Sequence, residues 1–276
     1  MLKLKHKFLY FFPLLTIFSW FLFFLYNVFK TTQKFDPREE FTLKNNFSYE
    51  IYYSGNTILS KLSRKFNIED EREEVPVIMR NAFISAEDKR FFEHNGIDFY
   101  GSTRAFINNI LSGYIREGGS TITQQVARLI FLNNDISFTR KIKEIIISII
   151  MDYKYSKNKI LKIYLNEIYL GEGARGISEA SQIYFGKLIN ELTLSEIAMI
   201  AGLAPAPNFY SPYQNYNLAI NQRNKILNSM YIDGYIIKKT YEDALKEKIK
   251  IINKKNDPDN LLIEIILKEA RNKINP

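Results

Sequence analysis

Twenty-two consecutive positions, Phe8 to Phe29, carry no charge, while Lys3, Lys5 and Lys7 stand before them and Lys30 after. A helix rises about 1.5 Å per residue, so the run spans roughly 33 Å, enough for the hydrocarbon core of a bilayer. Its strongly polar side chains are Thr16, Ser19 and Asn27; Trp20 lies mid-span, and Tyr10 and Tyr26 are better placed as interfacial anchors. The run exceeds the ~7–15-residue apolar centre of a signal peptide, and no small-x-small cleavage site follows. The pattern predicts an uncleaved anchor with its lysine-bearing tip in the cytoplasm and the rest of the chain outside.

Beyond a polar stretch at 30–46, Phe47, Tyr49 and Ile51 alternate with polar neighbours. Ser54-Gly55-Asn56 then signals a turn before Thr57-Ile58-Leu59, which predicts a short β-hairpin. From about Glu73 the period becomes helical, with Val77, Ile78, Ala82, Phe83 and Ile84 recurring every three or four residues. Ile142, Ile145, Ile146, Ile149 and Ile150 line one face of a second helix, and Ile160, Leu161, Tyr164, Leu165 and Ile168 that of a third. Gly171, Gly173 and Gly176 mark tight loops after it. Thr193 and Glu196 form a capping box before the apolar run Ile197 to Leu203, which Pro205 and Pro207 end. Residues 216–250 and 259–274 read as charged helices. The apolar stretch Phe99 to Ile115, with Phe106, Ile107, Ile110 and Leu111 on one face, suits either a core helix or one dipping into a membrane interface. The fold class is mainly α.

With 46% apolar and 25% charged residues the chain has the balance of a globular protein rather than a disordered one. It has no cysteine, which excludes disulfides, thiol nucleophiles and cysteine-held metals. His6 and His94 are the only histidines, which argues against a multi-histidine metal site. A formal charge of +8 suits nucleic acid or an anionic membrane, and equally lysines spread over every solvated face.

Three segments hold more polar chemistry than packing requires. Glu87-Asp88-Lys89-Arg90-Phe91-Phe92-Glu93-His94-Asn95-Gly96 reads as a charged helix terminus or as a helix end in a cleft. Gly118-Gly119-Ser120-Thr121-Ile122-Thr123-Gln124-Gln125 puts three hydroxyls and two amides after paired glycines, a surface suited to sugar or phosphate. No Gly-Lys-Ser/Thr follows at the required spacing, so this is not a P-loop. Arg140-Lys141-Ile142-Lys143-Glu144 sets cations around one acid, as a solvated face or a phosphate clamp would.

Taken in order, these segments resemble the peptidoglycan glycosyltransferases, which include monofunctional transglycosylases and the glycosyltransferase domain of class A penicillin-binding proteins. The first motif of that family matches Glu87, Asp88, Phe91, His94 and Gly96, and the second is unbroken from Gly118 to Gln125. The third matches Arg140, Lys141 and Glu144. A fourth resembles Ile160 through Asn166, the three loop glycines and Tyr184-Phe185-Gly186-Lys187. A fifth runs from Leu192 through Glu196 and Ala206-Pro207 to Arg223. The likeness covers roughly 47–235. It departs from the family at Arg128-Leu129, where Lys-Asn is usual, and at Ile136, Lys162 and Arg175, where arginine, glutamate and an aromatic are common.

The resemblance implies a lysozyme-like helical glycosyltransferase domain with a short juxtamembrane hairpin on one transmembrane helix. It implies polymerisation of lipid II on the outer face of the bacterial cytoplasmic membrane. By that resemblance the GlcNAc 4-hydroxyl would displace undecaprenyl pyrophosphate from the growing glycan with inversion. Glu87 would be the catalytic base and Glu144 a second catalytic acid that organises cations. Asp88, Phe91, His94, Gly119, Ser120, Thr121, Gln124, Gln125, Arg128, Arg140 and Lys141 would bind substrate. Partners would be lipid II, the lipid-linked glycan, the lipid bilayer and other cell-wall synthesis proteins, with no nucleic acid. No cofactor is required and no metal site is assigned, although a divalent cation (Mg or Mn) is compatible.

The expected organisation is a tip at 1–7, an anchor at 8–29, a linker and hairpin at 30–72, a glycosyltransferase domain at 73–235 and a charged helical extension at 236–276. The competing classes are a lysozyme-like hydrolase or lytic transglycosylase, and an inactive membrane scaffold of a cell-wall complex. Neither needs the full set of acids and cations. Ser156-Lys157-Asn158-Lys159 spells Ser-x-x-Lys, as penicillin-binding enzymes do, but it lies inside the glycosyltransferase region with no Lys-Thr-Gly after it.

Overall fold

The structure is a computed structural model that describes residues 75–114, 118–132 and 137–252, the backbone of 46–53 and 57–65, and six positions between 16 and 30. Strands β1 (Asn46–Tyr53) and β2 (Thr57–Lys65) pair antiparallel from Asn46↔Lys65 to Tyr53↔Thr57, with an irregularity at Ile51/Tyr52. The expected turn at 54–56 lies outside the described residues. So do the linker at 31–45 and the helix expected at 259–274. Among the described residues no helix is long and apolar enough to cross a membrane. The anchor expected at 8–29 lies outside them except for Thr16, Ser19, Leu22, Phe23 and Tyr26.

From residue 77 the described chain is helical: α1 (Val77–Glu87), α2 (Phe99–Ser112), α3 (Ile122–Phe131), α4 (Phe138–Lys154) and α5 (Lys157–Glu167). Then come α6 (Gly176–Phe185), a 3-10 turn (Ile189–Glu191), α7 (Leu194–Leu203), α8 (Tyr216–Ile232) and α9 (Lys238–Lys246). The fold is mainly α.

Helix α7 forms the centre. Thr193 Oγ1 accepts from the Glu196 N–H and the Glu196 carboxylate accepts from the Thr193 N–H, the capping box expected there. Every residue from Ser195 to Leu203 is buried, which is what an all-round apolar helix requires. It packs against α1, α6, α8 and α9. A second layer is built on α3, which lies against α4 and α5. Ser156, the serine of the Ser-x-x-Lys match, is the N-cap of α5.

Helix α4 differs from what its apolar pattern suggests, and α2 excludes one of the two placements that its pattern allows. On α4 the buried residues are Glu144, Ile147, Ser148 and Met151, while the isoleucine stripe is half-buried and Ile149 is exposed. The face bearing Glu144 turns inward, where Arg140 and Lys141 of the same helix hold its carboxylate and Lys141 also reaches Ser120 of the glycine-rich loop. On α2 only Ala105 is buried; Phe99, Phe106, Ile110 and Leu111 (80% exposed) face outward, so α2 is not a core helix.

Candidate active site

Glu87 is the last residue of α1, and its carboxylate points at α3. The Gln125 side-chain amide donates to Glu87 Oε2 at 2.7 Å. Glu87 Oε1 is buried and has no hydrogen-bond partner among the described residues. Burial pushes the Glu87 carboxyl above its ordinary range; the Gln125 hydrogen bond opposes this, Asp88 adds to it and the Arg128 charge opposes it. A carboxylate with one oxygen held and one bare, and with raised proton affinity, is equipped to accept a proton.

The rest of the first segment builds this position. His94 Nε2 lies 3.1 and 3.0 Å from the two Asp88 carboxylate oxygens, and the Ile122 N–H donates to Asp88 Oδ2 at 2.9 Å. Asp88 therefore ties the end of α1 to the start of α3. Phe91 is fully buried, edge-on to the His94 ring, with Lys157 Nζ 4.7 Å from its own ring centre. Arg90 pairs with Asp98, which also accepts from the Gly101 N–H at 2.8 Å and so caps α2.

The glycine-rich segment divides its polar groups between two tasks. Thr121 and Gln124 form a reciprocal capping box at the start of α3, and the Thr121 hydroxyl also donates to the Gly96 carbonyl at 2.7 Å. Gly119 is exposed, and its carbonyl accepts from the Ser102 hydroxyl at 2.7 Å, which moors the loop to α2. Ser120 Oγ accepts from Lys141 Nζ at 2.9 Å, which joins the loop to α4. Of the residues expected to bind substrate, Asp88, Phe91, His94, Thr121 and Gln124 lie inside the fold. All five are buried; Asp88, Thr121, Gln124 and His94 Nε2 hydrogen-bond within the chain, while His94 Nδ1 has no partner among the described residues.

Glu144 is 2% exposed, and each of its oxygens has a cation: Arg140 Nη1 donates to Oε2 at 2.8 Å and Lys141 Nζ to Oε1. The two acids thus differ in chemistry. Glu144 has no free oxygen and fixes two cations, whereas Glu87 keeps one bare. Arg128 is exposed on α3, close enough for its charge to act on Glu87. Ile136 lies outside the described residues.

Sequence reasoning missed Tyr164 as a site residue, having placed it on the apolar face of α5. Its hydroxyl lies 3.4 Å from Gln125 Oε1. The available signals are a phenol among Ile160, Leu161 and Leu165 and its place in the fourth motif. Among the described residues no three histidines or acids gather as a metal site.

The chain is similar to known proteins over this same region. The family model described as Transglycosylase matches residues 56–231. Penicillin-binding protein 1A of Neisseria flavescens is 41% identical over 199 residues, covering 72% of this chain and 25% of that protein. Penicillin-binding protein 1A of Escherichia coli (strain K12) is 40% identical over 200 residues, covering 72% and 24%. A crystal structure of penicillin-binding protein 1A from Haemophilus influenzae is 24% identical, with a TM-score of 0.45, covering 83% of this chain and 24% of that one. The chain thus spans about a quarter of the length of the relatives it matches. With well over half of its residues matched by the family model, the chain belongs to the transglycosylase family.

Proposed function

We propose that this chain is a peptidoglycan glycosyltransferase that polymerises lipid II, with Glu87 as base and a cation set for the departing pyrophosphate. The observation that carries this reading is the contrast between the two acids: Glu87 Oε1 is bare, and both Glu144 oxygens hold cations. A sugar hydroxyl is a weak nucleophile near neutral pH, so it needs an acceptor for its proton as it attacks. Glu87 Oε1 takes that proton from the GlcNAc 4-hydroxyl. The hydroxyl oxygen bonds to the donor anomeric carbon from the face opposite the leaving group. The bond to undecaprenyl pyrophosphate breaks, and inversion follows. Charge develops on the pyrophosphate, which donors held in place beforehand stabilise best. Arg140 and Lys141, locked by Glu144 and Ser120, supply such donors, and Arg128 supplies a third charge from α3.

A lipid-linked substrate also accounts for the apolar surfaces. The open face of α2, where Phe99 is 74% exposed, and the half-buried isoleucines of α4 are more apolar than solvent contact favours. In this reading α2 dips into the membrane interface beside the cleft. The run Phe8 to Phe29 anchors the lysozyme-like domain on the outer face of the cytoplasmic membrane, with the bilayer and other cell-wall synthesis proteins as partners.

Incubation with lipid II in detergent should yield glycan polymer, and incubation with finished glycan should yield no cleavage. Cleavage without synthesis would reassign the protein as a hydrolase, and neither activity would leave the scaffold. Arg128→Ala tests the pyrophosphate contact. Charge-assisted hydrogen bonds contribute about 1.5–3 kcal/mol each, so catalytic efficiency should fall about ten- to a few-hundred-fold. Arg128→Lys should recover much of it. Activity of Arg128→Ala within about twofold of wild type would remove Arg128 from that role.

A further inference from the structure

We propose that Tyr164 is a positioning residue for the base: its hydroxyl orients the Gln125 amide so that the amide holds Glu87 Oε2 and leaves Oε1 bare. The inference rests on the glycosyltransferase reading for the consequence in catalysis, but the geometry stands without it.

Tyr164 is fully buried on α5, with the Phe83 ring edge-on at 6.0 Å and Ile160, Leu161 and Leu165 buried on the same helix. Phenylalanine would meet every apolar demand of that site. The hydroxyl therefore needs its own account, because a buried phenol without a partner is costly. Burial holds its proton firmly, and the charge of Glu87 adds to the effect, so the phenol is a donor. Its acceptor is Gln125 Oε1 at 3.4 Å, a long bond that guides more than it grips.

A glutamine amide can present either end to a neighbour at nearly equal shape. Here the two ends meet different partners: the phenol proton on one side and a carboxylate oxygen 2.7 Å away on the other. Turned over, the amide would set Oε1 against Glu87 Oε2 and leave the phenol proton with no acceptor. The order Tyr164, Gln125, Glu87 therefore selects one amide orientation and one carboxylate oxygen. Other charges facing Glu87 are Asp88 beside it and Arg128 on α3. On the helices packed against α1 and α3, buried and half-buried charges have partners of their own, the buried Glu167 of α5 among them. Glu196 of α7 pairs with Lys187, Arg223 of α8 donates to the Leu245 and Glu247 carbonyls, and Arg140 and Lys141 of α4 are held by Glu144.

Tyr164→Phe is the test, because it keeps the ring and removes the hydroxyl. The thermal midpoint should stay close to wild type. For lipid II polymerisation, kcat should fall about two- to tenfold, the range of one net hydrogen bond, with little change in KM. Without the ordered amide donor the Glu87 carboxyl rises further, so the acidic limb of the kcat/KM profile should move to higher pH. The Glu87 titration itself can be read by carbon-13 NMR of labelled glutamate, assigned with Glu87→Gln, and should shift the same way without substrate. In a Gln125→Leu background, Tyr164→Phe should shift that titration no further. An unmoved titration and acidic limb would overturn the proposal, whether activity is unchanged or falls together with thermal stability. If wild type makes no polymer but the titration moves as expected, the glycosyltransferase reading fails and the hydrogen-bond chain stands.

Discussion

Glu87→Gln should lower lipid II polymerisation by on the order of 10²–10⁴-fold, the usual contribution of a positioned general base. The amide cannot take the hydroxyl proton, yet it occupies the same volume at the end of α1. The same change should make the protein more stable near neutral pH. The folded carboxyl lies above its ordinary value of 4.5, first because burial disfavours its charge. A carboxyl raised in this way contributes stability that is fully present below the unfolded value and is lost as pH rises through the folded one. Glutamine never ionises, so Glu87→Gln loses nothing over that window. Its thermal midpoint should exceed wild type at pH 7 to 8, and the gap should close as pH falls toward about 4.5. Such a trade of stability for function is common at catalytic groups. Near-wild-type turnover would show that Glu87 is not the base, and a gap independent of pH would show that its carboxyl is not the raised group.

Much of this was legible in the sequence, because motif and period carry different information. The three polar segments marked the residues that the fold gathers at the ends of α1, α3 and α4. The apolar periods located α1, α5 and α7, and Thr193 with Glu196 placed the cap of α7. A motif does not say which of its polar atoms are consumed by folding. Thr121 and Gln124 have the same hydrogen-bonding groups as their neighbours, and only the chain path shows that they cap α3 while Gln125 reaches Glu87. A stripe of isoleucines does not reveal that Glu144, between two cations, has the stronger claim on the interior of α4. Tyr164 was hidden for the converse reason, since its ring satisfies the apolar period and only its oxygen faces the site.

Gly96→Ala should cost more stability than any other single-methyl addition in the glycine-rich and first segments, through backbone geometry and one close approach. Gly96 has φ +82, where a Cβ costs about 1–2 kcal/mol. A Cβ built there would lie 2.5 Å from the Ser148 carbonyl oxygen and 2.8 Å from its carbon, atoms of the buried middle of α4 that cannot swing aside. Overpacking of this kind adds about 1–3 kcal/mol. For a domain of this size the two together lower the thermal midpoint by on the order of 10 °C. Activity should fall even at temperatures where the variant stays folded. The Gly96 carbonyl accepts from Thr121 at 2.7 Å, so displacing it disturbs the α3 cap, one turn before Gln125. Gly118→Ala is the control within the neighbouring segment, because a Cβ there meets nothing within 4 Å. Its midpoint should remain within about 2 °C of wild type, a shift of under about 1 kcal/mol. Equal midpoints for the two variants would mean that the first segment does not press on α4 in the way its geometry requires.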